Sequence, residues 1–404
     1  MGEHCCGKKD KESKTETVIR KHEVKSGQSR YGCEWGDGYS DNFVPLEPLD
    51  LSKVKTVNDL VTAMGKTACG GRTVGEGADV LFTMSNDPDS FNVLTLSGIM
   101  TVAKMSPIMC EMIERGMIHA VISTGALMAH GFIEGSGMKH FKYQLGQMDD
   151  KELYYAGYDR IYDTLELESN MDKAEELMKE VFNSISDDTI LSSRILTYKL
   201  GKFLSEKKMG RSVLRSAYEN NVPVYIPAFT DSEMGLDLGV TNRKRMLDGK
   251  QPLVFNPFFD LEHYTEVILK QKNLGIFTIG GGVPRNWAQQ VGPYCDIINA
   301  RLFKGTGVES KELDKRYFKR FKYAVRICPE PVYWGGLSGC TYSEGVSWGK
   351  FIPADEGGMH SEVMSDATIA WPLIAKAVFE RLDEKKIKIK KNFDQARFMM
   401  PRPD

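Results

Sequence analysis

The stretch that decides the fold is residues 91–124, FNVLTLSGIMTVAKMSPIMCEMIERGMIHAVIST. Phe91–Leu96 is a short apolar run of the kind found in buried strands. Thr101–Arg115 carries apolar residues at helical intervals and stops at Gly116, and Ile118–Ile122 has a second strand pattern. A strand, a helix and another strand in this order predict βα units of a parallel sheet.

Strand and helix patterns continue to alternate on both sides of this stretch. The remaining predicted helices cover residues 51–66, 171–185, 196–206, 263–272 and about 367–382. The remaining predicted strands cover residues 222–226, 274–279, 324–327 and the run that ends at Trp348. This alternation predicts an α/β fold with a mostly parallel sheet and helices on both faces. Residues 1–40 are charged and lack apolar periodicity, which predicts a flexible arm, and residues 385–404 form a basic tail.

Composition excludes several classes of function. The 404 residues include 53 basic and 55 acidic side chains, for a formal net charge of -2, so neither nucleic acid nor an anionic membrane is an expected partner. None of the eight cysteines forms a Cys-x-x-Cys pair, which favours free thiols in a reducing compartment. The apolar runs are too short to cross a bilayer, and the N-terminus lacks a signal-peptide core. We therefore expect a cytoplasmic protein that acts on small molecules.

Small and acidic residues follow the predicted strands. In an open parallel sheet, ligands bind beyond the carboxyl ends of the strands. Residues 97–101 and 123–126 are small enough to let backbone amides approach a ligand, and residues 230–237 include three acids. The glycines of Gly280–Pro284 suit a pyrophosphate resting on exposed amides, although a tight turn without a ligand is an equal alternative. Four such loops at one edge predict a ligand site there.

Lys350 is the strongest candidate for a catalytic residue. It follows a small, aromatic and apolar run that predicts a strand, with Trp348 on the same face. Contact with an indole and loss of water disfavour the charged amine, which lowers its pKa and frees the lone pair to attack an imine or carbonyl carbon. The alternative is an ordinary lysine at a strand end whose ammonium reaches solvent.

These motifs resemble those of deoxyhypusine synthase and the deoxyhypusine-synthase-like proteins. The matching blocks lie in the family's order between about residues 85 and 380: Ser123–Ala126, Pro227–Asp231, Gly280–Pro284, Glu344–Lys350 and Ser365–Ala367. The resemblance implies a Rossmann-like, doubly wound NAD-binding fold in one catalytic domain over residues 41–384. It also implies a homotetramer with active sites between paired subunits.

The resemblance further implies a reaction and the residues that carry it. Spermidine gives a hydride to NAD and loses 1,3-diaminopropane, and the remaining four-carbon unit is held as an imine, passed to an acceptor amine and reduced. Lys350 matches the imine-forming lysine, Glu344 matches an acid that anchors an ammonium and moves protons, and Trp348 matches an apolar wall. The positions that match NAD contacts are Ser97, Gly98, Thr124, Gly125, Ala126, Asp231, Gly281, Gly282, Asp366 and Ala367. For Asp366, the alternative is the N-cap of the final helix.

The chain departs from the family where spermidine is recognised. Deoxyhypusine synthases have two adjacent acids where this chain has Ala129 and His130. Asn286 replaces a histidine, and Leu337 replaces an acid beside Gly335 and Gly336. Another acid falls at Leu236, where the neighbouring Asp237 can substitute. The candidate substrate-binding residues are therefore Trp348, His130, Asp237, Asn286, Gly335 and Gly336.

His130 is interpreted either as a proton carrier hydrogen-bonded to Asn286 or as a structural residue. His119 is expected to be a packed or an edge residue of the second strand, and His140 and His360 are expected to lie in loops. No grouping of these histidines is evident in the sequence, so we expect no metal site.

The resulting hypothesis is an NAD-dependent transferase of the deoxyhypusine-synthase-like branch. It moves an alkylamine unit of the aminobutyl type from a polyamine to an acceptor amine through an imine on Lys350. The alternatives are a true deoxyhypusine synthase acting on a translation-factor lysine, a homospermidine-forming polyamine enzyme, a catalytically lapsed NAD-binding partner subunit, and a dehydrogenase or amine oxidase that releases NADH.

Overall fold

The structure is a computed structural model that describes residues 36–144, 146, 148–303 and 316–389. The predicted arm and tail lie mostly outside these residues, and the predicted domain boundaries stay a prediction. Within the described part of the chain, no helix is both long enough and apolar enough to cross a lipid bilayer.

Strands and helices alternate along the described chain. The strands are β1 (Ser90–Leu96), β2 (Ala120–Ser123), β3 (Phe141–Lys142), β4 (Tyr158–Ile161), β5 (Thr164–Leu167), β6 (Ile190–Leu191), β7 (Val224–Tyr225), β8 (Val254–Phe255), β9 (Asn273–Ile279), β10 (Tyr323–Ile327) and β11 (Met359–Val363). The helices are α1 (Val57–Gly65), α2 (Cys69–Asn86), α3 (Ser106–Glu114), α4 (Gly125–Gly135), α5 (Asp150–Ala156), α6 (Glu168–Asn183), α7 (Ser193–Glu206), α8 (Val213–Glu219), α9 (Glu233–Leu247), α10 (Phe258–Leu269), α11 (Gly282–Gln289), α12 (Val291–Leu302), α13 (Tyr342–Ser347) and α14 (Ala367–Glu384).

Six strands form one parallel sheet in the order β11-β10-β9-β1-β2-β7. The chain starts at the centre with β1, adds β2 and β7 on one side, and returns to add β9, β10 and β11 on the other. The sheet is therefore doubly wound, and its topological switch point lies between β1 and β9. The predicted fold class is confirmed.

Each central strand contributes side chains to two hydrophobic cores, because successive side chains point to opposite faces of a sheet. On one face, Leu94 and Leu96 pack in a core that includes Trp371 of α14. On the other, Val93 and Ile122 join a core that includes residues of α10 to α12. This two-sided burial explains why the strands are almost continuously apolar rather than alternating.

Several of the predicted elements differ from the structure. The helix predicted from Thr101 begins only at Ser106, with Pro107 in its first turn, where a proline needs no backbone N–H. The run before Lys350 is a helix, α13, rather than a strand, and His360 lies in β11 rather than in a loop. Two small sheets, β3-β5-β4 and β6-β8, were not predicted, because strands of two to four residues give no clear periodicity.

Candidate active site

The loops after β1, β2 and β9 meet at the switch point. Ser97 N–H donates to the carbonyl of Ile279 at 3.1 Å, and Thr124 N–H donates to the carbonyl of Leu96 at 3.3 Å. The Ser97 hydroxyl accepts a hydrogen bond from Gly281 N–H at 2.9 Å. Because all six strands are parallel, the segments after β7 and β11, with Asp231, Asp366 and Ala367, also lie at this edge of the sheet.

Two glycines at this edge have no room for a side chain. A Cβ on Gly125 would lie 2.3 Å from the Ser232 hydroxyl oxygen, and a Cβ on Gly281 would lie 2.5 Å from Ser338 Cα. Gly98 has a φ of +79°, a left-handed conformation that favours glycine. Contact with Ser232 and Ser338 therefore requires glycine at residues 125 and 281, whereas the Cβ position of Gly98 has no neighbour nearer than 4.0 Å and leaves that turn open.

The helices that start here offer free backbone amides. α4 begins at Gly125 after Thr124, α11 begins at Gly282, and neither has a side-chain cap. Uncapped amides at a helix N-terminus suit a phosphate group. Asp366 differs, because its carboxylate accepts from Thr368 N–H at 2.7 Å and caps α14. The N-cap alternative for Asp366 is thus confirmed, and Asp231 is an exposed loop residue.

Lys350 is positioned by the turn that follows α13. Thr341 caps this short helix by accepting from Glu344 N–H at 3.0 Å, and after the helix ends at Ser347 the chain turns at Gly349, whose φ is +66°. A Cβ on Gly345 would lie 2.6 Å from the ring of Phe351, so the helix packs tightly on the residue after Lys350. The small residues that resembled a strand pattern are thus those that allow a tight helix and turn.

The Lys350 amine is desolvated and held in place. The residue is 6% exposed, and its Nζ donates to Asn286 Oδ1 at 2.9 Å. Nζ lies 5.9 Å from the centre of the Trp348 ring. Burial lowers the pKa of Lys350, the charges of Cys340 and, to a smaller extent, Glu344 act against this, and the positive charge of Arg285 adds to it. The predicted contact with Trp348 is present, although the backbone is helical rather than extended.

Six of the predicted site residues surround one cavity of about 290 Å³. They are Asn286, Gly335, Gly336, Glu344, Trp348 and Lys350. Leu337, which stands where the family has an acid, also lines this cavity, as do Gln290 and Cys340. The cavity adjoins the glycine turn at Gly280–Gly282 through Ser338, which follows Leu337 and contacts Gly281. The roles of these residues stay a prediction, but their proximity is a property of the fold.

Two buried arginines that the sequence analysis missed hold the cavity wall. Arg285 donates to the carbonyl of Cys340 at 2.8 Å, and Arg326 donates to the carbonyls of Ser338 and Cys340 at 2.6 and 2.7 Å. Arg326 also pairs with Glu362 at 2.9 Å across the neighbouring strand. A charged residue inside the apolar run of β10 was the signal that could have identified this support.

The remaining candidate substrate residues line a second cavity of about 510 Å³. His130 and Asp237 are there, together with Ala129 and Leu236. Six acids face this cavity: Asp159, Glu168, Asp172, Glu175, Glu233 and Asp237. Burial and the charges of Glu175 and Glu233 raise the pKa of Asp237 to about 6. The chain therefore has an acidic cavity despite its missing family acids.

His130 does not pair with Asn286 in the chain, because the two line different cavities. His130 Nδ1 lies 3.3 Å from Glu166 Oε2, and His140 Nε2 lies 2.7 Å from the same oxygen. The expectation that the histidines do not group is therefore wrong. It failed because β5, which carries Glu166, belongs to the small sheet that the sequence did not reveal. His119 is buried as expected, and its Nδ1 accepts from Asn92 N–H at 2.8 Å.

Fold and site together define a doubly wound α/β protein with a desolvated lysine beside its switch point. Residues 59–378 match the family model for deoxyhypusine synthase, so the chain belongs to the deoxyhypusine synthase family. This family transfers an aminobutyl group from spermidine.

Similar proteins support this assignment. A probable deoxyhypusine synthase 2 of Methanosarcina acetivorans is 33% identical over 85% of this chain and 92% of its own length. A deoxyhypusine synthase-like protein of Chlorobaculum parvum is 30% identical over 83% of this chain and 90% of its own length. A crystal structure named as a deoxyhypusine synthase from Entamoeba histolytica matches with a TM-score of 0.52 and 15% identity, over 83% of this chain and 97% of that one. This last likeness supports the fold alone.

Proposed function

We propose that this protein is an NAD-dependent transferase that moves an alkylamine unit, of the aminobutyl type, from a polyamine to an acceptor amine through an imine on Lys350. The observation that carries the proposal is the state of the Lys350 amine. It is buried, has a lowered pKa and faces a cavity between Trp348 and Asn286. Desolvation disfavours the charged form of the amine, and the uncharged amine is the nucleophile.

The residues at the switch point fit NAD. The free amides at the start of α4, from Gly125, and of α11, from Gly282, can hold the pyrophosphate, and Gly98 leaves the backbone open to it. When bound, NAD supplies a hydride acceptor for the donor amine and a hydride donor at the end of the reaction. The glycine turn contacts the wall of the lysine cavity, so both ligands would lie side by side.

The side chains of the cavity can carry the transfer itself. Lys350 Nζ attacks the imine carbon of the oxidised donor, a bond from Nζ to that carbon forms, and the bond to the leaving amine breaks as that amine takes a proton. Glu344 lies close enough to affect the Lys350 charge and can move this proton. The Asn286 carbonyl oxygen accepts from Nζ and orients the amine. An acceptor amine then displaces Lys350 by the same exchange.

We propose that a complete active site forms between two subunits of a homotetramer. In one chain the candidate substrate residues are divided between the lysine cavity and the acidic cavity. Trp348, which lines the lysine cavity, is 64% exposed, and Trp334, next to the lining residue Gly335, is 70% exposed, which suits coverage by another subunit. The acidic cavity of a partner subunit can supply carboxylates that bind a polycation. These would replace the family acid whose position Leu337 occupies.

Subunit mixing tests this arrangement. Lys350→Ala and Asp237→Lys variants, each inactive as a homo-oligomer, should regain part of the wild-type activity when they are unfolded together and refolded. Regain is expected because some mixed sites combine wild-type Lys350 with wild-type Asp237. Analytical ultracentrifugation of each variant checks that assembly is intact. An absence of regain from correctly assembled mixtures would contradict a shared site.

Borohydride trapping tests the reaction. The protein is incubated with NAD and spermidine, with or without putrescine or a translation-factor acceptor, then reduced and analysed by peptide mass spectrometry. An adduct of the four-carbon amine is expected on Lys350 and should be absent in Lys350→Arg. Lys319→Arg is the matched control, because burial also lowers the pKa of Lys319 but this residue donates to the Gln271 carbonyl instead. NAD binding without any adduct would indicate a lapsed partner subunit, and accumulating NADH would indicate an oxidase or dehydrogenase.

A further inference from the structure

His130, His140 and Glu166 converge at a point that the proposed transfer does not use. His130 comes from α4, His140 precedes β3, and Glu166 lies in β5. One nitrogen of each imidazole and one carboxylate oxygen lie within 4.8 Å of one another. All three side chains are removed from solvent, at 9%, 1% and 0% exposure respectively.

The contact of His140 with Glu166 is close but is not a well-aligned hydrogen bond. His140 Nε2 lies 2.7 Å from Glu166 Oε2, yet the buried nitrogen has no hydrogen-bond partner in the described structure. Two atoms that bind the same metal ion also lie close together without pointing at each other, because the ion lies off the line that joins them. Ligands about 2.0–2.1 Å from a tetrahedral ion are about 3.3 Å apart. The contact of His130 Nδ1 with Oε2 has this separation, 3.3 Å, and the His140 contact needs to open by about half an ångström.

The Glu166 carboxylate is already oriented for such a role. Its Oε1 accepts from Leu167 N–H at 2.9 Å and from Asn170 Nδ2 at 2.7 Å, which leaves Oε2 directed at the two imidazoles. Asn170 is itself held by a hydrogen bond to the Lys139 carbonyl at 3.0 Å. Supporting hydrogen bonds of this kind are typical of carboxylates that bind metal ions.

We propose that His130, His140 and Glu166 bind a divalent transition-metal ion of the zinc class. Two imidazoles and one carboxylate form a three-ligand set that zinc accepts, with a fourth position left for water or another ligand. His130 also lines the acidic cavity, whose carboxylates favour the approach of a cation. The bound ion would fasten the small β3-β5-β4 sheet to α4, the helix that begins at the switch point.

Lys104 competes with the proposed ion for His140, so its removal gives the most specific test of the site. Its Nζ lies 2.8 Å from His140 Nδ1, so Nδ1 acts as an acceptor and Nε2 carries the proton. Metal binding at Nε2 requires the opposite tautomer, with the proton on Nδ1. Lys104 is 46% exposed and also reaches Glu134 at 3.3 Å, so it can move away from His140. Removal of Lys104 should therefore strengthen metal binding.

The experiment measures metal binding directly, and it does not depend on the transferase proposal. Purified full-length protein is treated with chelator, dialysed and titrated with Zn²⁺ by calorimetry and with Co²⁺ by visible absorption. We expect one equivalent of Zn²⁺ per chain and the intense absorption of tetrahedral Co²⁺. Glu166→Gln and His140→Ala should weaken Zn²⁺ binding more than tenfold, and Lys104→Met should strengthen it about tenfold. His263→Gln, a histidine substitution elsewhere, should leave the affinity unchanged.

The outcomes are distinct. No stoichiometric binding by the wild type would overturn the proposal, as would binding that survives both Glu166→Gln and His140→Ala. Glu166→Gln keeps the shape of the side chain, so circular dichroism separates loss of a ligand from loss of fold. Weaker or unchanged binding by Lys104→Met would show that Nε2 of His140 is not the ligand atom and would also overturn the site as proposed.

Discussion

The acidic cavity makes a specific prediction about stability and pH. Asp237 is partly buried, and burial together with Glu175 and Glu233 raises its pKa from 3.8 to about 6. Because the folded protein holds this proton more tightly than the unfolded chain does, ionisation of Asp237 opposes folding. The penalty is small below about pH 4, grows between about pH 4 and pH 6, and is constant above about pH 7.

Asp237→Asn removes this penalty while keeping the size of the side chain. The difference between 3.8 and about 6 corresponds to at most about 3 kcal/mol, and solvent in the open cavity lowers the expected gain to about 1–2 kcal/mol. The variant should thus be more stable than the wild type at pH 8, with little difference near pH 4. Urea unfolding followed by tryptophan fluorescence and circular dichroism measures both.

Asp383→Asn is the control of opposite sign. The Asp383 carboxylate pairs with Arg115 at 2.6 Å, and this hydrogen bond lowers its pKa. Its ionised form therefore stabilises the fold. Asp383→Asn should be less stable than the wild type at neutral pH, and this difference should disappear as the pH falls. The reasoning about Asp237 is refuted if Asp237→Asn is no more stable than the wild type at pH 8, or if its gain does not change with pH.

Three further predictions concern the lysine cavity and the switch point. Arg326→Met should lower the free energy of unfolding by about 3 kcal/mol, because it removes the ion pair with Glu362 and two hydrogen bonds to backbone carbonyls. A destabilisation below about 1 kcal/mol in urea unfolding would contradict this. Asn286→Leu should lower the pKa of Lys350 further, because it removes the acceptor that favours the charged amine. The pH dependence of Lys350 labelling, read by peptide mass spectrometry, checks this, and an unchanged or raised pKa would argue against it. Gly281→Ala should weaken NAD binding at least tenfold, as measured by calorimetry, because the added Cβ would lie 2.5 Å from Ser338 Cα and displace the turn. Normal affinity would show that this turn does not hold NAD.

Local patterns predicted several strands of the main sheet and the closing helix. β1, β9, β10 and the closing helix were all located to within two or three residues, because each buries a continuous run in one of the two cores. The motif residues around Lys350 were also identified, and the fold places them at one cavity. In both cases the decisive information lies within a few neighbouring residues.

Other features depend on contacts between distant parts of the chain. The run before Lys350 was predicted as a strand, but packing of Gly345 on Phe351 and the cap at Thr341 make it a helix. The supporting pair of Arg326 and Glu362 requires two strands to lie side by side, and neither residue alone indicates it. The His130, His140 and Glu166 cluster joins residues up to 36 positions apart through a strand of four residues.

The sequence by itself predicted a mostly parallel sheet with helices on both faces and identified Lys350 as the candidate nucleophile, since strand burial and motif spacing are local properties of the chain. Only the tertiary structure decided the surroundings of that lysine: its helical approach, the Asn286 acceptor and the arginines behind the cavity wall. Only the tertiary structure also grouped six acids and two histidines in and beside a second cavity. The physical reason is that pKa, desolvation and ligand geometry depend on distances through space, which apolar periodicity does not encode.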